Sequence, residues 1–269
     1  VQVQPGASVE RAARDARYRA FVDELAADEL LLTAQHRDDQ AETLLFRLLR
    51  GAGVRGLSGM PAIRPLGAGQ LLRPLLTASR AELQAYADAQ QLHWVEDPSN
   101  GDVQYSRNYL RQQVLPLLIQ RWPQALASMT RSAGQLREAQ ELLDDLARQD
   151  LASLNQPSRF AWLDLPSLPL APLRALSSAR QRNLLRYWLA PLTALPDSDH
   201  WAGFTCLLSA GSDAAPVWRL AAGEIHRADG RLWWLAGPWL RPPAPLNLPL
   251  TVSALQLPDN GHLRLQGAV

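Results

Sequence analysis

Cysteine is almost missing from this chain, lysine is missing altogether, and no long apolar run occurs. The lone Cys206 excludes a disulfide framework and any cysteine-ligated zinc or iron–sulfur site built from this chain alone. A reducing, cytoplasmic home fits that count. Arg, Asp or Pro interrupts each apolar stretch before it reaches the roughly 18 residues of a spanning helix, so no membrane anchor is expected. Charge of one sign is also lacking: the formal net charge is +1, and any polyanion must be met by a local patch instead of a global field. All 27 basic residues are arginine, which suits bidentate phosphate contacts and equally reflects a GC-rich genome. The chain opens at Val1, so the lack of a signal peptide says little and leaves room for sequence upstream.

What is present is an ordinary globular composition. With 269 residues, 47% hydrophobic and 20% charged, the chain can bury a sizeable core in one large domain or two to three small ones. Val1–Gln4 alternates like the end of a strand, and Ser8 opens a helix running to about Ala27. Glu29–Thr33 has strand length, a helix is predicted over Asp39–Arg50, and Gly51, Gly53, Gly56 and Gly59 mark a mobile or tightly turning loop. Leu71–Leu76 reads as extended, Ser79 caps a helix from Arg80 to about Gln90, and Leu92–Val95 extends again. This alternation predicts an α/β layer with a parallel, Rossmann-like sheet.

Residues 107–118, 123–151 and 177–189 then show apolar positions at three- and four-residue intervals, the pattern of a mainly helical domain. Past Pro216 the runs Val217–Leu220, Glu224–Arg227 and Arg231–Leu235, with Asp229-Gly230 between the last two, predict a β-hairpin. Its Trp233-Trp234 pair is expected to put one ring in the core and one against a partner. Pro238–Pro249 reads as a linker, and Leu250–Val269 as the first strands of a truncated C-terminal β segment.

The densest chemistry lies in the run Thr33-Ala34-Gln35-His36-Arg37-Asp38-Asp39-Gln40-Ala41-Glu42-Thr43, at the carboxyl end of a strand, where parallel sheets place their sites. Asp38 is predicted as the N-cap of the following helix, and Asp39, Glu42 and Thr43 share one face of it. Two carboxylates there can hold a cation, bind an ammonium or act as acid and base. They equally suit a plain helix start, where acidic side chains complement the dipole. His36 stands beside them; a lone histidine is commonly structural, and no second histidine sits at a zinc-ligand interval. Arg107 and Arg111, four apart on a helix, form a fork that suits phosphate or RNA backbone, or else an ordinary surface pairing with Glu96, Asp97 or Asp102. Arg14 with Arg17, and the trio Arg180, Arg182 and Arg186, are further basic groups for which a solvated helix face is the commoner outcome, while Arg47 and Arg50, three apart and followed by glycine, suit a polyanion clamp or simply the helix C-terminus.

Taken together, several of these segments resemble the tRNA(Ile)-lysidine synthase family, within the PP-loop (N-type) ATP pyrophosphatases. The matching text is Glu10-Arg11-Ala12-Ala13-Arg14-Asp15-Ala16-Arg17-Tyr18, His36 to Thr43, Leu49-Arg50-Gly51-Ala52-Gly53 with Gly56-Leu57, Arg73-Pro74-Leu75, Trp94 to Asn100, and Arg107-Asn108-Tyr109-Leu110-Arg111. Several linked motifs in one order are more specific than any one of them. The resemblance is close over about Val1–Pro116 and looser beyond. The family's Ser-Gly-Gly-x-Asp-Ser phosphate loop does not occur in this chain, so the chain by itself is expected not to turn over ATP. Gln35 stands where many relatives carry histidine.

The resemblance implies residues 1–116 as the C-terminal part of a PP-loop catalytic domain, 117–240 as a helical tRNA-binding domain with the Trp-rich hairpin, and 241–269 as a linker and the start of a truncated domain. It implies a cytoplasmic ligase acting in tRNA processing: with ATP and Mg²⁺, L-lysine is joined to C2 of the wobble cytidine in the CAU anticodon of tRNA(Ile) through an adenylated intermediate, changing decoding from AUG to AUA. Asp39 and Glu42 would hold the lysine amino groups, Arg107 would grip the phosphate or intermediate, and Arg17 would support adenylation. His36 and Asp38 would shape the pocket, with Arg111 and Arg50 as further binding residues, and a homodimer is allowed. The rival readings are another PP-loop enzyme such as a tRNA thiolase, which typically brings cysteine pairs, and a non-catalytic RNA-binding module on the same fold.

Overall fold

The computed structural model describes residues 9–95, 97–154, 156–160, 163–195, 201–211, 214–241, 254–257 and 261–264. The expected Val1–Gln4 strand, Glu96 and most of the Pro238–Pro249 linker lie outside them. The chain divides into two compact units, Val1–Glu141 and Leu142–Val269. Among the described residues no helix is long and apolar enough to cross a membrane.

The first unit runs α1 (Val9–Glu24), β1 (Leu30–Leu32), α2 (Arg37–Leu48), α3 (Val54–Leu57), β2 (Ile63–Leu66), β3 (Gly69–Leu72), α4 (Arg80–Ala89), α5 (Ser106–Tyr109) and α6 (Leu115–Arg121), and takes in the first part of α7 (Ala125–Ser153). Its sheet has the order β1-β3-β2. The parallel pairing expected from the sequence is present between β1 and β3, with Leu31 opposite Leu71. The sheet as a whole is mixed, because β2 and β3 form an antiparallel hairpin that pairs Leu66 with Gly69. Periodicity misses β2 because Arg64-Pro65 breaks its alternation; as an edge strand it tolerates the proline. Leu92–Val95 joins no strand.

Ala41, Leu44, Leu66, Leu71, Leu110, Leu115 and Ala133 are buried in this unit, together with Gln40, Glu42, Thr43, Arg73 and Ser79. Three of these five buried polar side chains lie on α2 and the other two on the segment between β3 and α4, so the polar interior is concentrated around α2. Ser79 caps α4 as expected: its Oγ accepts from the Glu82 amide at 3.1 Å, and the Glu82 carboxylate accepts from the Ser79 amide at 2.7 Å.

The second unit contains the end of α7, β4 (Ser167–Pro169), α8 (Leu170–Ala175), α9 (Ser178–Leu189), α10 (Trp201–Ser209), β5 (Val217–Leu220), β6 (Gly223–Ala228), β7 (Arg231–Leu235), β8 (Ala254–Leu257) and β9 (Gly261–Arg264). The predicted hairpin is real and belongs to a larger antiparallel sheet, β4-β7-β6-β5. Asp229 and Gly230 turn it with φ of 52° and 66°, both in the left-handed region that a two-residue hairpin of this hand requires. Leu168, Leu173, Leu184, Leu185, Leu189, Phe204, Leu207, Ile225, Leu232 and Trp234 form one core. Both indoles of the tryptophan pair are buried in this unit: Trp234 joins that core, and Trp233 lies beside Phe160 with its Nε1 donating to the Ala228 carbonyl at 3.1 Å. The expected partner-facing ring is therefore corrected, since β7 is an inner strand covered on both faces. β8 and β9 pair antiparallel, in keeping with the expected terminal β segment.

Candidate active site

α2 begins where the chain leaves β1, and its opening differs from the sequence expectation. His36, not Asp38, is the N-cap residue. Its backbone N–H donates to Asp39 Oδ2 at 2.9 Å, so Asp39 satisfies an amide of its own helix start. The helix can begin early because the Arg37 amide is taken by the Ala78 carbonyl at 2.8 Å. Asp38 caps a different helix: its Oδ2 accepts from the backbone N–H of Arg80 at 3.0 Å, in the first turn of α4. One carboxylate thus ties two helix starts together.

Glu42 is 2% exposed, and its two oxygens accept from Arg111 Nε at 2.6 Å and Nη2 at 2.8 Å. The same Nη2 reaches Asp39 Oδ1 at 3.1 Å. One guanidinium therefore spans both carboxylates that the sequence singles out. The hydrogen bond to Glu42 raises the Arg111 pKa above its ordinary value; burial works against it, and the charges of Glu42, Asp39 and Asp38 add to it. Arg107 Nη2 donates to the buried Thr43 Oγ1 at 2.9 Å. Arg107 and Arg111 reach α2 together through a π-turn, Leu110–Val114, set between α5 and α6. The single helix expected over 107–118 hides that wide turn, a local irregularity that often accompanies functional sites.

His36 stands over Asp39 with Nε2 3.5 Å from Oδ2, while Nδ1 is 3.8 Å from Asp38 Oδ2. Neither separation is a hydrogen bond, and Nδ1 is buried without a hydrogen-bond partner. The structure thus gathers His36, Asp38, Asp39, Glu42, Arg107 and Arg111. It does not bring Arg50 or Arg17 into that set: Arg50 is exposed with its guanidinium 5.2 Å from the Phe46 ring centroid. Arg17 is exposed on α1 and makes no hydrogen bond or ion pair among the described residues. In the second unit, Arg180 pairs with the fully buried Asp150, and Arg186 lies 4.7 Å from the Trp201 ring centroid. Those two arginines serve internal contacts.

Three residues to which the sequence reading gives no role hold the segment that follows α2. Gln40 closes a two-way clamp on Met60, donating from Nε2 to its carbonyl and accepting at Oε1 from its amide, both at 2.7 Å. Arg73 donates to the Pro61 carbonyl at 2.8 Å and to Gln35 Oε1 at 3.1 Å, and Arg137 to the Ser58 carbonyl at 3.2 Å. Arg47, which the sequence offers as a polyanion clamp, donates to the carbonyls of Gly56 at 2.7 Å and Gly59 at 3.1 Å. The glycine series is therefore the tightly turning loop of the two alternatives. Gly59 has φ of +74°, and a Cβ there would stand 2.7 Å from Gln40 Oε1. Helical periodicity puts Gln40 beside Ala41 and Leu44 on the inner face, a signal that could have found it.

Comparison with known proteins bears on this arrangement. Residues 1–118 match the PP-loop domain family, and residues 168–233 match the TilS substrate binding domain. The chain is 65% identical to the tRNA(Ile)-lysidine synthase of Pseudomonas fluorescens over 99% of its own length and 61% of the relative's. Identity to the enzyme of the same name in Pseudomonas aeruginosa is 60%, over 100% of this chain and 62% of the relative. For Escherichia coli O157:H7 it is 40%, over 97% and 62%. The chain thus spans about three fifths of the length of the curated relatives it matches. The chain therefore carries a PP-loop domain followed by a TilS substrate binding domain, and along nearly its whole length it is similar to tRNA(Ile)-lysidine synthases.

Proposed function

We propose that this protein serves the reaction its relatives are named for: ATP-dependent ligation of L-lysine to C2 of the wobble cytidine in the CAU anticodon of tRNA(Ile). The C2 carbonyl of cytidine is a poor electrophile, so its oxygen attacks the α-phosphate of ATP, releasing pyrophosphate and making AMP the leaving group. The lysine amine then displaces AMP and gives up a proton. The observation that carries this reading is the acidic pair at the head of α2 facing arginines from the next helices.

Asp39 and Glu42 bring two negative charges to one place, and Arg111 neutralises one of them. The remaining negative charge is matched by an ammonium. Both carboxylates accept hydrogen bonds, but Glu42 is 2% exposed and Asp39 17%, so Asp39 is the one that meets the substrate amine and accepts its proton, with Glu42 setting Arg111. His36 flanks that carboxylate, and Arg107, fixed on Thr43, faces the phosphate side. Arg17 and Arg50, both exposed, would join only in contact with substrate. Among the described residues no three His, Cys, Asp or Glu side chains form a metal-holding group, so on this reading Mg²⁺ arrives with the phosphates of ATP.

The test is mass spectrometry of tRNA(Ile) after incubation of the full-length protein with ATP and lysine. The nucleoside at the wobble position is expected to gain the mass of a lysyl group, and Asp39→Asn is expected to abolish that gain while tRNA affinity stays within a few-fold. A sulfur-for-oxygen mass change would favour the thiolase reading, and tRNA binding with no mass change at all would favour the binding module.

A further inference from the structure

Elsewhere among the described residues, arginines such as Arg111, Arg148, Arg159, Arg180 and Arg219 sit against carboxylates. One group does not. Arg14 from α1 and Arg64 from β2 place their guanidinium carbons 5.3 and 5.4 Å from the ring centroid of Tyr18. Arg14, Arg73 and Arg64 together hold the Tyr18 phenol below its ordinary pKa against the effect of burial, and the charges of Arg14 and Arg73 act in turn on Arg47. Among the described residues the hydrogen-bond partners of Arg47, Arg64 and Arg73 are neutral, namely the backbone carbonyls of Gly56, Gly59, Pro61 and Pro65 and the Gln35 amide, and Arg14 stands over the phenol ring. Among the described residues no carboxylate pairs with any of the four.

Such a concentration is unfavourable when nothing occupies it. Arg47 and Arg73 are held below the ordinary arginine pKa, first by burial and then by neighbouring guanidinium groups, with Tyr18 partly offsetting this at Arg73. Two cations removed from water, with two more alongside, need an anion to balance them. The inner pair is already engaged with the glycine loop, whereas Arg14 is exposed and Arg64 half-buried. Arg14 donates no hydrogen bond among the described residues and Arg64 donates one to a carbonyl, so the outer pair keeps free N–H groups. Guanidinium forks of this kind match phosphate oxygens. Arg107, whose charge also acts on Arg47, donates to Thr43 on the helix that carries Asp39 and Glu42.

We propose that Arg14 and Arg64, both set against the Tyr18 ring and backed by Arg47 and Arg73, form a phosphate-binding cradle. The site stands on its own uncompensated charges; assigning its phosphate to a nucleotide or to tRNA rests on the reaction proposed above. Two probes separate these sources: pyrophosphate for the nucleotide, and an anticodon stem–loop RNA for the backbone phosphate. Calorimetric titration of the full-length protein, with no lysine present, is compared for wild type, Arg14→Ala, Arg64→Ala, the double variant and Arg19→Ala, an exposed control on the same helix.

Each cradle substitution is expected to weaken its ligand about tenfold, with Arg19→Ala close to wild type. Weakened pyrophosphate with unchanged RNA affinity assigns the cradle to the nucleotide. Weakened RNA affinity, with the slope of log affinity against log salt falling by about one for each arginine, assigns it to the RNA backbone. The proposal is overturned if the double variant binds both probes as tightly as wild type, or if Arg19→Ala loses as much as the cradle variants. Because no lysine is present, failure of the ligation reading leaves these outcomes intact.

Discussion

Replacing Arg111 with methionine removes the guanidinium that holds Glu42 in the interior while keeping an unbranched side chain of similar reach. Glu42 would then sit 2% exposed, having lost bonds of 2.6 and 2.8 Å, with no other cation within ion-pair distance among the described residues. Breaking a fully buried pair from one side costs about 3–5 kcal/mol. Arg111 is itself 31% exposed, so water would relieve part of that load and the expected loss is about 2–3 kcal/mol. Adding Glu42→Gln removes the stranded charge, and the double variant should recover at least about 1 kcal/mol over Arg111→Met alone. The assay is urea denaturation of wild type, Arg111→Met, Glu42→Gln and the double variant, read at a constant m-value so that the midpoint reports stability alone. A loss below about 0.5 kcal/mol for Arg111→Met, or a double variant no more stable than the single one, would refute the view that this pair is one energetic unit.

Two further outcomes follow from the same interior. Gln40→Ala removes both hydrogen bonds to Met60, which should cost about 2 kcal/mol and raise amide hydrogen exchange across residues 56–61; unchanged exchange there would mean that Arg47, Arg73 and Arg137 suffice to hold the loop. At Tyr18 burial alone would raise the pKa, but the charges of Arg14 and Arg73 and the hydrogen bonds from Arg73 and Arg64 outweigh it and bring the phenol below its ordinary 10.0. A depressed acid adds stability as the pH climbs from its folded value toward the ordinary one, and adds none below that window. Wild type should therefore gain on Tyr18→Phe as pH rises toward 10, and an early component of the phenolate absorbance should vanish in the variant.

Local residue patterns made much of this legible. The Asp229-Gly230 turn, the Ser79 cap with Glu82 three residues on, and the helical spacing of α7 and α9 each depend on neighbours in sequence, and the structure shows all of them. The segments that escaped such reading are those whose partners are distant. β2 is too short and too interrupted to announce itself without β3 beside it. Asp38 looks like the cap of its own helix until the Arg80 amide, 42 residues away, claims its carboxylate. Trp233 and Trp234 look two-faced until β4 and the loop carrying Phe160 cover the outer side.

The order of strand and helices, the placing of two acids one helical turn apart after β1, and the four-residue interval between Arg107 and Arg111 are properties of the chain itself, because they rest on periodicity and short-range hydrogen bonding. Which charge meets which is not. That Arg111 spans Glu42 and Asp39, that Arg107 is spent on Thr43, and that Arg14 and Arg64 meet at one phenol with no carboxylate paired to either among the described residues was decided only when α1, α2, the β2–β3 hairpin and the π-turn came together. Coulomb energy depends on distances through space, and those distances do not exist until the fold does.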